Sequence, residues 1–318
     1  MRRHFLDVDD LTVAELDDVL AHARRPDLEP VLAGRGVALL FEKPSARTRN
    51  SSELAVTGLG GHPVYIGPDE VGLDERESAE DVARTLACYH SVLCARVNDH
   101  ATLTRMAAAL DGAELFAPVV NLLSDVAHPC QAIADLLTLA DVAGSVAALA
   151  DRSLAYVGDA NNVCVSLAKA AVMVGMAVRV AAPEGYEFDE ATRRSIEELA
   201  TAAGRGGTLS THRDPALAAK GADALYTDVW TSMGQEAERA RRQVAFAGYC
   251  VDEALVSVAA TDAVVLHCLP AHRGEEIAAS VVDGPRSVVW KQAAHRETAM
   301  RGILSWLVSA TVAERAPS

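Results

Sequence analysis

No window of 18 uninterrupted apolar residues occurs in this 318-residue chain, so no segment is expected to cross a membrane as a helix. Long basic runs are missing too. Acidic side chains outnumber basic ones by 44 to 29 and the formal net charge is −15. Such a surface repels polyanions, which excludes nucleic acid and anionic membrane surfaces as expected partners. The six cysteines (Cys88, Cys94, Cys130, Cys164, Cys250, Cys268) form no Cys-x-x-Cys pair and are expected as reduced thiols. The amino-terminal MRRHFLDVDDLTVAELDDVL turns acidic within a few residues and offers no apolar core of a signal peptide, so the expected location is cytoplasmic. Also lacking are a Gly-x-Gly-x-x-Gly fingerprint, a Gly-x-Ser-x-Gly elbow, repeats of solenoid period and low-complexity tracts. These absences weigh against a nicotinamide dehydrogenase, a serine or cysteine hydrolase built on a nucleophile elbow, and a repeat protein.

What is present is a regular alternation. Half the residues are hydrophobic, enough for two cores at a typical domain size of about 150 residues. In the first half GVALLFE (36–42), PVYIG (63–67), SVLCA (91–95) and APVVNL (117–122) read as strands. Helical periods separate them, among them SAEDVARTLACYH, where Ser78 and Asp81 mark a helix start. After a Gly- and Ala-rich interval at 144–151 the series resumes with SLAYVGDA, AVRVAAP, TLSTH, DALYTDVW, AVVLHCLP and SVVW. Strands alternating with helices predict an α/β chain of two doubly wound parallel-sheet domains. KQAAHRETAMRGILSWLVSA reads as a final helix crossing back to the first domain. The expected boundaries are 1–140 with 292–318, and 150–291.

In such sheets ligands bind outside the carboxyl ends of strands, and the junctions there carry unusual residues. FEKPSARTR brings Lys43, Arg47 and Arg49 to a helix start, with Ser45 as the expected N-cap. Free first-turn amides, Ser45, Thr48 and the Arg47 fork suit a phosphate. The alternative is a solvated helix start whose arginines pair with Glu42 and Glu53. AHPCQA sets His128 before Pro129, with Gln131 three residues on; His128 is a ligand group or a capping histidine. Cys268 in VLHCLP is nucleophile, proton shuttle or packing. A zinc set of His128, Cys130, His267 and Cys268 matches no common spacing. GDANNV puts Asn161 and Asn162 where a dinucleotide fold carries glycines, and DVWTSMG puts Asp228 at a strand end, suited to a substrate ammonium.

Together, FEKPSARTR, the arginine of CARV, HPCQ, GDANNV, DVWTSMG, HCLP and QAAHR resemble, in this order, the transcarbamoylases, and most closely the anabolic ornithine carbamoyltransferases of arginine biosynthesis. The pairing of SMG with HCLP separates these from the aspartate enzymes. The resemblance implies carbamoyl transfer from carbamoyl phosphate to the δ-amino group of L-ornithine, giving L-citrulline and phosphate, with neither metal nor organic cofactor. It implies a homotrimer, or a multiple of trimers, whose domains close around substrate. Carbamoyl phosphate would lie on Ser45, Ala46, Arg47, Thr48, Arg96, His128, Gln131, Cys268, Leu269 and Arg296. Ornithine would lie on Asn162, Asp228, Ser232 and Met233. The catalytic set it implies is Arg47, Arg96, His128, Asp228, Cys268 and Arg296.

The chain departs from the family pattern at several places. Ala46 stands for a threonine, Gly72-Leu73-Asp74 for Gln-Leu-Gly, Val97 for threonine, Ala127 for an aromatic, Val165 for histidine and His295 for asparagine. Loss of a hydroxyl bond to a charged group at position 46 costs about 1.5–3 kcal/mol. A working carbamoyltransferase is expected, weakened if that hydroxyl touches the phosphate, with a paralogue for another amine and a non-catalytic carbamoyl phosphate binder as the alternatives.

Overall fold

The computed structural model describes residues 4–113, 115–231 and 236–315. It divides into two compact units, one of Met1–Ala134 with His295–Ser318 and one of Asp135–Ala294. Both are parallel sheets covered by helices, as the alternation predicts.

The first unit has four strands, β1 (Gly36–Phe41), β2 (His62–Ile66), β3 (His90–Arg96) and β4 (Val119–Leu123), in the order β2-β1-β3-β4. Five of the six residues of β1 are buried, because a central parallel strand is covered on both faces. Pro63, which lacks an amide proton, is tolerated because β2 is an edge strand. The core beside the sheet joins Leu40, Leu93 and Val119 to Leu103, Met106 and Leu110.

The second unit has β5 (Ser153–Val157), β6 (Ala177–Ala181), β7 (Thr208–His212), β8 (Ala224–Thr227) and β9 (Val264–His267), ordered β7-β6-β5-β8-β9. Every residue of β5 is buried. SVVW is not a strand. Ser287 makes a single bridge to Val265, and Val289 already begins the helix Val289–Arg315. Local β-preference of the valines yields there to the tertiary packing of that helix, in which Val289 joins the core around Val157, Leu225 and Phe246.

In each sheet the strand order reverses once, between β1 and β3 and between β5 and β8. Loops leave in opposite directions at such a point and open a crevice at the carboxyl ends of the strands. Ser45 and Arg96 follow or end the first pair; Asn161 and Asp228 follow the second.

The helix Val289–Arg315 also packs closely on Val13–Arg24. A methyl group at Gly302 would lie 2.5 Å from Ala23 Cβ and 2.6 Å from its Cα. Gly302→Ala should therefore destabilise, by about 1–3 kcal/mol of overpacking, although alanine is the better helix former by about 1 kcal/mol. A urea midpoint at or above that of the parent would contradict this packing.

Candidate active site

The helix Ala46–Gly58 begins as its sequence requires. Ser45 is extended (φ −153°, ψ 110°) and its Oγ accepts the Thr48 amide at 3.4 Å. Thr48 is buried and its Oγ1 is a meeting point. It accepts from Ser45 Oγ at 3.1 Å, from Arg296 Nη2 at 3.2 Å and from Arg96 Nη1 at 3.5 Å. Arg296 Nη1 donates further to Gln131 Oε1 and to His128 Nε2, the latter at 3.2 Å. A guanidinium only donates, so Nε2 of His128 accepts and the ring proton belongs on Nδ1.

Two guanidinium groups thus share one neutral oxygen. The electrostatic consequences are large. Burial first, then the charges of Arg296 and Arg47, lower the Arg96 pKa to about 10. Burial and the three arginines hold His128 well below the usual imidazole range, so it is neutral at physiological pH. Arg96 Nε is buried without a hydrogen-bond partner among the described residues.

Of the acid pairings that a solvated helix start would use, one forms, on Arg49, and none among the described residues reaches Arg47. Glu53 pairs with Arg49 at 2.8 Å, and Arg49 also lies over the Tyr65 ring, 3.8 Å from its centroid. Glu42 Oε2 accepts the Asn98 amide at 2.5 Å. No acidic side chain among the described residues pairs with Arg47 or Arg96. A cluster of like charges beside a helix start is stabilised by an anion.

The turn before His128 is built by a residue that the motifs did not single out. Asn121 in β4 is fully buried, and its Nδ2 donates to Leu6 O at 2.8 Å, Ser124 Oγ at 3.1 Å and Ala127 O at 3.4 Å. Cys130, next to Pro129, donates to Asn121 O at 3.3 Å, and burial pushes its thiol up to about 12. It is packing, not chemistry.

The second unit holds a different constellation. Asp228, just past β8, is buried. Its Oδ1 accepts the Cys268 thiol at 3.0 Å and its Oδ2 accepts Asn161 Nδ2 at 3.0 Å. Asn161 Oδ1 in turn caps the helix Asn162–Met173, accepting from Val163 N at 3.0 Å and Cys164 N at 3.1 Å. Leu269 is held at φ 60° by its amide bond to His267 Nδ1 at 2.9 Å. With Nδ1 accepting, Nε2 carries the proton and donates to buried Glu276 at 3.1 Å. Asp228, His267 and Cys268 lie within metal-ligand range of one another. Both imidazole nitrogens are already committed, however, so a metal there would have to break the bond that sets Leu269.

Two models of known domains match the chain. The carbamoyl-P binding domain of aspartate/ornithine carbamoyltransferase covers residues 3–141 and the Asp/Orn binding domain covers residues 150–307. The chain belongs to the aspartate/ornithine carbamoyltransferase family. Ornithine carbamoyltransferase of Acidothermus cellulolyticus is 47% identical over 98% of both chains. The solved ornithine carbamoyltransferase of Pyrococcus furiosus superposes with a TM-score of 0.89 at 40% identity, over 96% of this chain and 97% of that one. The Thermus thermophilus enzyme superposes with a TM-score of 0.84 at 40% identity, over 97% and 99%.

Within this carbamoyltransferase the residues expected from sequence fall into two groups. Ser45, Ala46, Arg47, Thr48, Arg96, His128, Gln131 and Arg296 belong to the first unit, with Ala46 and Arg47 exposed. Cys268, Leu269, Asn162 and Asp228 belong to the second. Ser232 and Met233 lie outside the described residues. The zinc set weighed from sequence is split between the units. Asn161, not Asn162, is the residue bonded to Asp228; both asparagines sit at the helix start, and only their orientation separates them.

One departure from the family pattern has a local reason. Gly72 ends a short helix at φ 54° and Asp74 sits at φ 60°, so the glycine and the side chain of the usual motif have exchanged places. Asp74 is fixed by Ala79 N at 3.2 Å and by Arg105 at 2.5 Å. Val97 and Ala127 are buried.

Proposed function

We propose that this protein transfers the carbamoyl group of carbamoyl phosphate to the δ-amino group of L-ornithine, releasing L-citrulline and phosphate. The observation that carries the reading is the arginine cluster around Thr48, with no acid among the described residues paired to Arg47 or Arg96. Its electrostatics call for an anion of more than one charge.

In this reading the amides of the first turn after Ser45, with Arg47, Thr48 and Arg96, hold the phosphate. Arg296, Gln131 and neutral His128 surround the carbamoyl group. The neutral amine attacks the carbonyl carbon, charge grows on its oxygen, and the C–O bond to phosphate breaks with its electron pair leaving on phosphate. Guanidinium groups already in place stabilise both charges without reorganising, usually the largest catalytic term. The amine gives up one proton to solvent before attack and another from the adduct, and the departing phosphate is a base able to take the second.

Asp228 holds an ammonium group of ornithine. Asn162, Ser232 and Met233 complete the amino-acid side, and Cys268 with Leu269 orients the carbamoyl nitrogen and the amine. None of these roles requires a metal or an organic cofactor. Among the described residues no helix is long and apolar enough to cross a membrane. The reading carries a cytoplasmic homotrimer or multiple of trimers, which light scattering on the eluted protein would test.

The decisive assay supplies carbamoyl phosphate with ornithine, lysine or putrescine and measures both the carbamoylated product and phosphate. Citrulline with a clear preference for ornithine is expected. A preference for another amine would make the chain a paralogue, and phosphate binding without turnover would make it a binding protein.

A further inference from the structure

Eighty-three positions separate the partners of a largely buried ion pair, its arginine more enclosed than its aspartate, that none of these roles uses. Arg242, on the helix Arg239–Ala245, is 8% exposed, and its Nη1 donates to Asp159 Oδ2 at 2.6 Å and to the Trp230 carbonyl at 3.0 Å. Its Nε donates to Glu238 at 3.0 Å, and its guanidinium lies 4.9 Å from the Tyr186 ring centroid. Both main partners sit at strand tips that carry the acceptor side. Asp159 follows Gly158 after β5 and precedes Asn161 by two residues. Trp230 follows Asp228 after β8 by two and precedes Ser232 by two. The Ala160 amide is tied to the Tyr186 carbonyl at 2.9 Å, so the Tyr186 segment braces the same turn.

We propose that Arg242 is a positioning residue for the acceptor amine. It clamps the turn after β5 to the turn after β8, and so fixes the Asn161–Asp228 contact that orients Asp228, the group proposed to hold the ornithine ammonium. Nη1 alone hydrogen-bonds both turns while Nε is held by Glu238, and an ammonium, with one nitrogen on a flexible stem, does not reproduce that three-point hold. The pair is also self-enforcing. Burial raises the Asp159 carboxyl, and the bond from Arg242 draws it back, so removing the arginine leaves a buried carboxylate that must move or take up a proton. Movement of Asp159 drags the turn that holds Asn161.

The inference rests on the amine-acceptor reading of Asp228, and it is tested by steady-state kinetics on R242Q, R242K and the double variant D159N/R242Q, with urea melts of each. R242Q is expected to raise the KM for ornithine by on the order of tenfold while the KM for carbamoyl phosphate stays within about twofold. R242K should lie between R242Q and the parent. D159N/R242Q removes the stranded charge and should recover part of the loss, about threefold by the size of couplings between contacting residues. A purely structural pair would instead lower the melting midpoint and leave the two KM values unchanged or move them together, and that result overturns the clamp. If R242Q does not fold, the same criterion is applied to R242K and the double variant. A wild-type protein that carbamoylates no amine overturns the functional reading and the clamp with it; an active wild type with an unaltered ornithine KM in folded variants overturns the clamp alone.

Discussion

Arg296→Gln is expected to lower kcat/KM for carbamoyl phosphate by about 10²–10³-fold, the usual effect of removing one preorganised donor to a developing oxyanion. Arg296 is the link between the helix start and the carbamoyl side, since it touches Thr48, His128 and Gln131 at once. Glutamine can replace one of those hydrogen bonds but none of the charge. The free protein should tolerate the change far better than the reaction does. Arg96 is depressed to about 10 partly by Arg296, and taking away a like charge from a buried neighbour relieves that repulsion. The two effects separate in a thermal melt with and without inorganic phosphate. Phosphate at 100 times its Kd should stabilise the parent by about 2.7 kcal/mol and the variant by clearly less. Equal stabilisation of both would remove Arg296 from the anion site, and an unchanged kcat/KM would remove it from the reaction.

Asp228→Asn is the second large change. The two side chains have the same shape, so the packing around Tyr226 and Cys268 survives. Both carboxylate oxygens now accept, one from the Cys268 thiol and one from Asn161 Nδ2. An asparagine has one acceptor oxygen and one NH2, so whichever way it turns, one of these donors faces another donor. The charge that would hold the substrate ammonium is lost as well. Truncating one side of a buried charge pair costs about 2–5 kcal/mol, so kcat/KM for ornithine should fall by at least about 30-fold, and by more if the charge is fully desolvated in the complex. Carbamoyl phosphate binding, measured by calorimetry without amine, should persist, because the groups proposed for its phosphate, Ser45, Arg47, Thr48 and Arg96, belong to the other unit. Concerted loss of both binding events would sink the assignment of Asp228 to the amine.

The two predictions depend on different kinds of information. Ser45 as a cap, the helix after it and the strands ending at Phe41 and Arg96 are local matters of hydroxyl-to-amide bonding and hydrophobic period, and each is readable in the chain as written. The family motifs carry the order of the pieces. Local preference failed at SVVW, where three residues that favour strands mark the approach to a long helix whose burial outweighs that preference. It was also silent on Asn161 against Asn162. Asn161 is the extended N-cap and Asn162 the first helical residue, and only the place of Asp228 in the fold shows which amide meets it. Arg242 was hidden for another reason. It stands in RARR, a run that reads as a solvated face, and its partner Asp159 is far away in sequence.

By itself, then, the amino-acid order determined an α/β chain with two parallel sheets, the helix starts that face their strand tips, and the family. Periodicity, capping and motif spacing are properties of neighbouring residues, so they need no fold to be seen. Tertiary structure alone decided which charges stay uncompensated. Glu53 turns to Arg49, Glu42 turns to the Asn98 amide, and Arg96 is left beside Arg296 and Arg47. Electrostatic energy depends on distance and burial rather than on position along the chain, which is why the arginine cluster proposed as the anion site forms only once β1, β3 and the carboxyl-terminal helix have come together.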